Sequence, residues 1–242
     1  MISALKRQYK LYLMEAFGLF IFMVSACFFG GMLEHPDSEW HTGIPNSFLR
    51  LFLMALAMGS TALFIFLSPS TKPSGAHINP AVTITRYRLN QINFEDTIWY
   101  CIFQFLGGLF GVYLMSWIMG DFLTNSTINY EVTVPAKDVS IYLVFFVETI
   151  IGFIMILAVL FSYNNEKTKK FTPFIAATLV ACNVLVAGPI SGFGMNPSRT
   201  LASAVPAHTY TDLWIYMVCP FIGMLSAAEV FVWYQKRHDE LF

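Results

Sequence analysis

The chain has 242 residues, of which 56% are hydrophobic and 12% charged. A soluble globular domain carries about 25% charged residues, so the composition excludes an ordinary soluble domain and points to a membrane protein. The formal net charge of −1 gives no argument for nucleic acid as a partner.

The first ten residues are basic and lead into an apolar run from Leu11 to Leu33. That run is too long for a secretory h-region and lacks a clear small-x-small cleavage site, so it reads as the first membrane helix. A spanning helix needs about 20 mostly apolar residues. Six stretches qualify, at 11–33, 48–68, 97–119, 139–162, 171–190 and 212–234. The four cysteines (Cys27, Cys101, Cys182, Cys219) all fall within apolar runs, without metal-ligand or disulfide-framework spacing. They read as small core residues, and no metal or other cofactor is expected.

Two short segments stand apart from the spans. Ser74-Gly75-Ala76-His77-Ile78-Asn79-Pro80-Ala81-Val82-Thr83 follows the second span, and Ser191-Gly192-Phe193-Gly194-Met195-Asn196-Pro197-Ser198-Arg199-Thr200 follows the fifth. Proline suits the first helical position, where its missing N–H costs nothing, and asparagine before it is a good N-cap. Each segment therefore predicts an irregular turn, over 69–78 and 188–195, and then a helix too short to cross. Irregular backbone at membrane depth is tolerated only where it lines a cavity or is buried in protein.

The spans around these segments also echo each other. Glu15 lies in the first and Glu148 in the fourth. Residues 1–119 and 138–242 thus predict two repeats of three spans, and the odd number inserts the second upside down. Such inverted repeats place the functional site near the midplane, at broken helices. With both termini cytoplasmic, the inner face carries Lys6, Arg7, Lys10, Lys72, Arg86, Arg88, Lys167, Lys169, Lys170, Lys236 and Arg237, leaving Arg50, Lys137 and Arg199 outside. This is the positive-inside pattern.

Two facing helix N-termini each carry about half a positive charge. They oppose cations while admitting neutral polar molecules. Amide N–H groups of Asn79 and Asn196 aimed into a lumen would donate to passing oxygens. Glu15 and Glu148 are natural acceptors for freed loop N–H groups, with snorkelling to the interface or proton transfer as other roles for Glu15. Arg199 lies one turn into the second short helix; it either narrows a lumen or meets a lipid headgroup. Phe193 is placed to wall the same constriction. His77 either bonds loop backbone or binds metal, and no second ligand stands at useful spacing. Gln104 sits near Gly107, Gly108 and Gly111, where small residues permit close helix approach, and reads as structural polar glue. The sequence brings residues 166–170 and Lys72 to the same inner mouth, where opposite charges can interact.

At these residues the chain resembles the major intrinsic proteins, the aquaporin and aquaglyceroporin family, over essentially its whole length. The resemblance rests on 74–83, 192–199, Glu15, Glu148 and Gln104-Phe105-Leu106-Gly107. It implies an all-α membrane fold of six transmembrane helices plus two re-entrant half-helices, acting as a passive channel and not an enzyme. The partners implied are water, small neutral solutes and the lipid bilayer. It further implies a homotetramer in the cell membrane with one pore per subunit. Ser198 departs from the family's usual Ala. By position, the filter residues are Arg199, Phe193, Val184 and, in the second span, Met54, with Leu53 or Met58 as alternatives. On substrate the residues are mixed. Val184 stands where water-selective members have His, and Phe193 resembles glycerol-conducting members. Thr200 replaces the Asp that follows the arginine in those members. Ala204 and Tyr216 look water-type, and Met217 replaces an expected Trp. Water is the expected main substrate, with a glycerol-preferring facilitator as the alternative. An ion-coupled transporter would need titratable groups at the midplane, and an enzyme would need a base paired with an orienting acid.

Overall fold

The computed structural model describes residues 1–239. Ten α-helices run in the order α1 (Ile2–Glu34), α2 (Glu39–Gly43), α3 (Ser47–Leu67), α4 (Pro80–Arg88), α5 (Phe94–Met119), α6 (Asp121–Thr124), α7 (Ile141–Tyr163), α8 (Thr172–Ser191), α9 (Pro197–Ala207) and α10 (Leu213–Asp239). Short 3-10 turns sit at Lys72–Ser74, Asn129–Glu131 and Lys169–Phe171. Six of the helices (α1, α3, α5, α7, α8 and α10) are long and apolar enough to cross a bilayer, so the protein is a multi-pass membrane protein. No strand occurs among the described residues.

Asparagine starts several of these helices. Asn46 Oδ1 accepts from the Leu49 amide at 3.0 Å, and Asn93 Oδ1 from the Asp96 amide at 2.8 Å. Such caps satisfy amides that the helix itself leaves unpaired. The first span begins at Ile2 rather than at residue 11, because its basic first turns are helical too. The fifth also exceeds its expected irregular boundary at 188. Pro189 lies inside α8, and the helix continues to Ser191, whose hydroxyl donates back to Ala187 O at 3.2 Å. The irregular stretch of the second segment is therefore only Gly192–Met195.

Lipid chains are as apolar as leucine, so helices in a bilayer associate through close packing and polar contacts. Two glycines 116 positions apart supply the closest approaches of a glycine to a neighbouring helix backbone. Gly107 of α5 lies on the α1 backbone, where an added Cβ would stand 2.1 Å from Ala16 O. Gly223 of α10 meets α7 in the same way, 2.1 Å from Thr149 O. The helix pairs α1–α5 and α7–α10 are thus matched, and α3 packs on α8 between them. All four cysteines are free thiols.

A valine at Gly107 has no room without separating α1 from α5. Gly107→Val is expected to abolish folded expression or to lower the midpoint of thermal unfolding in detergent by several degrees, with a cost of about 1–3 kcal/mol or more. An unchanged melting profile would contradict the packing described.

Candidate functional site: a lined cavity between two half-helices

Asn79 caps α4, its Oδ1 accepting from the Ala81 amide at 2.9 Å; Asn196 caps α9, accepting from Ser198 N at 3.1 Å and Arg199 N at 3.3 Å. The two caps are also tied across the molecule. Asn79 Nδ2 donates to Met195 O at 2.9 Å, and Asn196 Nδ2 donates to Ile78 O at 2.7 Å. Each carboxamide thus spends its oxygen on its own helix and one N–H on the opposite loop. A carboxamide has two N–H donors, so each keeps one beyond these bonds, and both residues line one cavity.

The loops leading to these caps have matching backbones. Residues 75, 76 and 78 have φ of 92°, 47° and 43°, and residues 192, 193 and 195 have 76°, 53° and 43°. A positive φ at a β-branched residue such as Ile78 is strained and persists only where the surroundings over-determine it. Here they do. Glu15 accepts from the Ser74 hydroxyl (2.6 Å), His77 N (3.0 Å), Ile78 N (2.6 Å) and Gln104 Nε2 (2.8 Å). Glu148 accepts from the Ser191 hydroxyl (2.6 Å), Gly194 N (2.8 Å) and Met195 N (2.6 Å). Both glutamates are 0% exposed and neither lines the cavity. The interfacial place considered for Glu15 is therefore not the one it takes.

The remaining residues singled out from the sequence fall around this framework. The His77 ring contacts the Thr83 hydroxyl at 3.2 Å through Nδ1 and lines the cavity; no cluster of three metal-ligating side chains exists among the described residues. Gln104 bridges Glu15 and the Thr83 hydroxyl (3.0 Å). Pro80, Ala81, Pro197 and Ser198 are buried behind the cavity wall. The Ser198 hydroxyl has no hydrogen-bond partner there.

One cavity of about 1060 Å³ runs from Glu34 and Gly188 at one end to Lys169 and Lys170 at the other. Its wall on α3 is the stripe Leu51, Met54, Met58, Ala62, Phe66, and on α8 it is Thr172, Ala176, Val180, Val184, Gly188. Spacings of three and four keep each stripe on one helix face. Leu53, considered as an alternative to Met54, lies off that stripe and faces a separate groove between α1 and α3. Met54, Val184, Phe193 and Arg199 all line the main cavity. Arg199 Nη1 donates to the Thr133 hydroxyl, which places the guanidinium inside the protein and not at a lipid headgroup.

The roles of four partners escaped the sequence reading. Tyr100 OH donates to Ser74 O at 2.9 Å, and Tyr216 OH donates to Ser191 O at 2.6 Å. They stand 116 positions apart, so extending the duplication into the third and sixth spans would have found them. Thr133 and Glu131 come from the connection between α5 and α7, where no motif marks them. Asn129, Tyr130 and Glu131 have φ of 44°, 57° and 56°, three consecutive left-handed residues. This strained turn lays the Glu131 side chain against Gly30, where an added Cβ would stand 1.9 Å from Oε1. The carboxyl lines the same cavity as Arg199.

The comparisons with known proteins agree with this architecture. The family model described as major intrinsic protein matches residues 3–231. The chain belongs to the major intrinsic protein family. It is 34% identical over 159 residues to Aquaporin NIP3-1 of Zea mays, covering 65% of this chain and 51% of that protein. To Aquaporin-1 of Rhizophagus irregularis it is 31% identical over 226 residues, covering 91% and 78%. The chain thus spans about half the length of the maize relative and more of the fungal one. Its fold is similar to that in the X-ray structure of the aquaglyceroporin from Plasmodium falciparum, with a TM-score of 0.77, 23% identity and coverage of 92% and 95%.

Burial pushes the Glu131 carboxyl up to about 7, against the opposing pull of Arg199 and with a smaller push from Glu34. Between its ordinary value of 4.5 and about 7 the folded protein holds a proton that the unfolded chain has released. Stability therefore falls as pH rises through that window and levels off above it. Melting curves at pH 5 to 8 are expected to show this decline, and Glu131→Gln is expected to flatten it.

Proposed function

We propose that the protein is a passive transmembrane channel for water and small neutral solutes that excludes protons and ions. The observation that carries this reading is the single cavity on which the capping amides of α4 and α9 converge. Each helix N-terminus contributes about half a positive charge, so the middle of the passage opposes cations. A water accepting from both Asn79 and Asn196 must aim its hydrogens outward, which interrupts a proton wire. This is the known logic of aquaporin-type pores. Family members are channels and not enzymes. Against an ion-coupled transporter stands the position of Glu15 and Glu148, hydrogen-bonded behind the loops and off the cavity surface.

In this reading Met54, Val184, Phe193 and Arg199 form the constriction, with an apolar wall on three sides and one fixed cation. Residues 1–119 and 138–242 act as inverted repeats, the termini are cytoplasmic in the cell membrane, and four subunits assemble with one pore each. The Lys/Arg distribution supports the orientation. A glycerol-preferring facilitator is the second reading, favoured by Met54, Val184 and Phe193, whose apolar surface suits an alkyl backbone.

Water and glycerol permeability of the same reconstituted sample, followed by light scattering after an osmotic jump, tests the channel. Permeability equal to that of empty vesicles would refute it. Phe193→Ala is expected to raise glycerol flux more than water flux; an equal change in both removes Phe193 from the constriction. Arg199→Ala is expected to increase proton and cation leak, and an unchanged leak would count against its role.

A further inference from the structure

The cavity mouth on the face of the chain termini differs in charge from the opposite mouth. Its lining includes Lys72 from the turn after α3, Arg86 from α4, and Lys169 and Lys170 from the turn before α8. The Tyr163 ring at the end of α7 gathers two of them, with Arg86 Cζ 5.5 Å and Lys169 Nζ 5.4 Å from its centroid. Among the described residues the only carboxylate within ion-pair distance of the four is Glu166, 3.8 Å from Lys169 and 91% exposed. An exposed pair of that kind contributes little. Nearby Glu229 is taken by Arg88 at 2.7 Å. The acidic residues of the cavity lining, Glu34 and Glu131, belong to the other end.

A general excess of basic residues on one membrane face does not account for this arrangement. Lys6, Arg7, Lys10, Lys236 and Arg237 share the face but line no part of the cavity. We propose that this mouth is a binding site for a phosphate-bearing anion, held by Lys72, Arg86, Lys169 and Lys170 around Tyr163. A planar guanidinium and several ammonium groups match the oxygens of a phosphate. An anion of more than one charge relieves the mutual repulsion of cations focused at a low-dielectric rim. A bound anion sits across the passage and narrows it. The narrowing rests on the channel reading; the binding does not.

Calorimetric titration of the detergent-solubilised protein with inorganic pyrophosphate tests the site without any flux. Saturable binding is expected with a Kd at or below about 1 mM at low salt. Lys72→Gln/Lys169→Gln/Lys170→Gln is expected to weaken it by about tenfold or more, and Lys137→Gln on the opposite face to leave it unchanged. Absence of saturable binding, or equal binding by the triple variant, overturns the proposal. Water flux then separates the sources. Slowing in neutral phosphatidylcholine vesicles on adding pyrophosphate assigns the site to a soluble phosphate. Slowing only when the bilayer carries a phosphorylated inositol lipid assigns it to a headgroup. Flux unaffected in both, in a sample that conducts water, overturns the narrowing.

Discussion

The structure depends on two buried carboxyl groups, each holding a stretch of backbone that has left its helix. Inside a bilayer an unpaired N–H costs far more than at a wet surface, because no water is there to satisfy it. Glu15 and Glu148 each accept from two consecutive loop amides and from a serine hydroxyl of the same segment. A hydrogen bond to a charged group is worth about 1.5–3 kcal/mol, and several together offset a strained loop. That is how residues such as Ile78 and Met195 can hold φ of 43°.

With the loops held, the rest of the site follows. Each loop delivers an asparagine to the start of a short helix, and each asparagine reaches across to a carbonyl of the opposite loop. The two half-helices are therefore locked to one another through their caps as well as through neighbouring spans. Tyr100 and Tyr216 brace the loops from behind by donating to Ser74 O and Ser191 O. The cavity is left with largely apolar stripes from α3 and α8, two amide edges, Arg199, and a basic rim at one mouth.

The connection between α5 and α7 departs from this regularity. Its three left-handed residues bring Glu131 to the cavity that Arg199 also lines, while the buried Thr133 hydroxyl accepts from Arg199 Nη1. The strain is local, and it sits where a carboxyl group lines the cavity. Strain of this kind concentrates at functional positions. Gly30 on α1 is the matching notch, since a side chain there would occupy the space of the Glu131 carboxyl.

By itself the sequence determined the membrane class, the six spans, the two Asn-Pro helix starts and the pairing of Glu15 with Glu148. All of these are written in local patterns: apolar length, cap chemistry and a duplicated arrangement of spans and segments. The duplication extends to Tyr100 and Tyr216, so their role was legible in principle. Only the tertiary structure decided that one N–H of each asparagine is spent on the opposite loop, that Leu53 faces away while Met54 and Met58 face in, that Thr133 bonds Arg199, and that Glu131 lines the same cavity. The same holds for the gathering of Lys72, Arg86, Lys169 and Lys170 at one mouth. These contacts join residues up to 118 positions apart, and they depend on helix rotation and loop path. Such quantities are set by packing against distant neighbours, and no short stretch of residues records them.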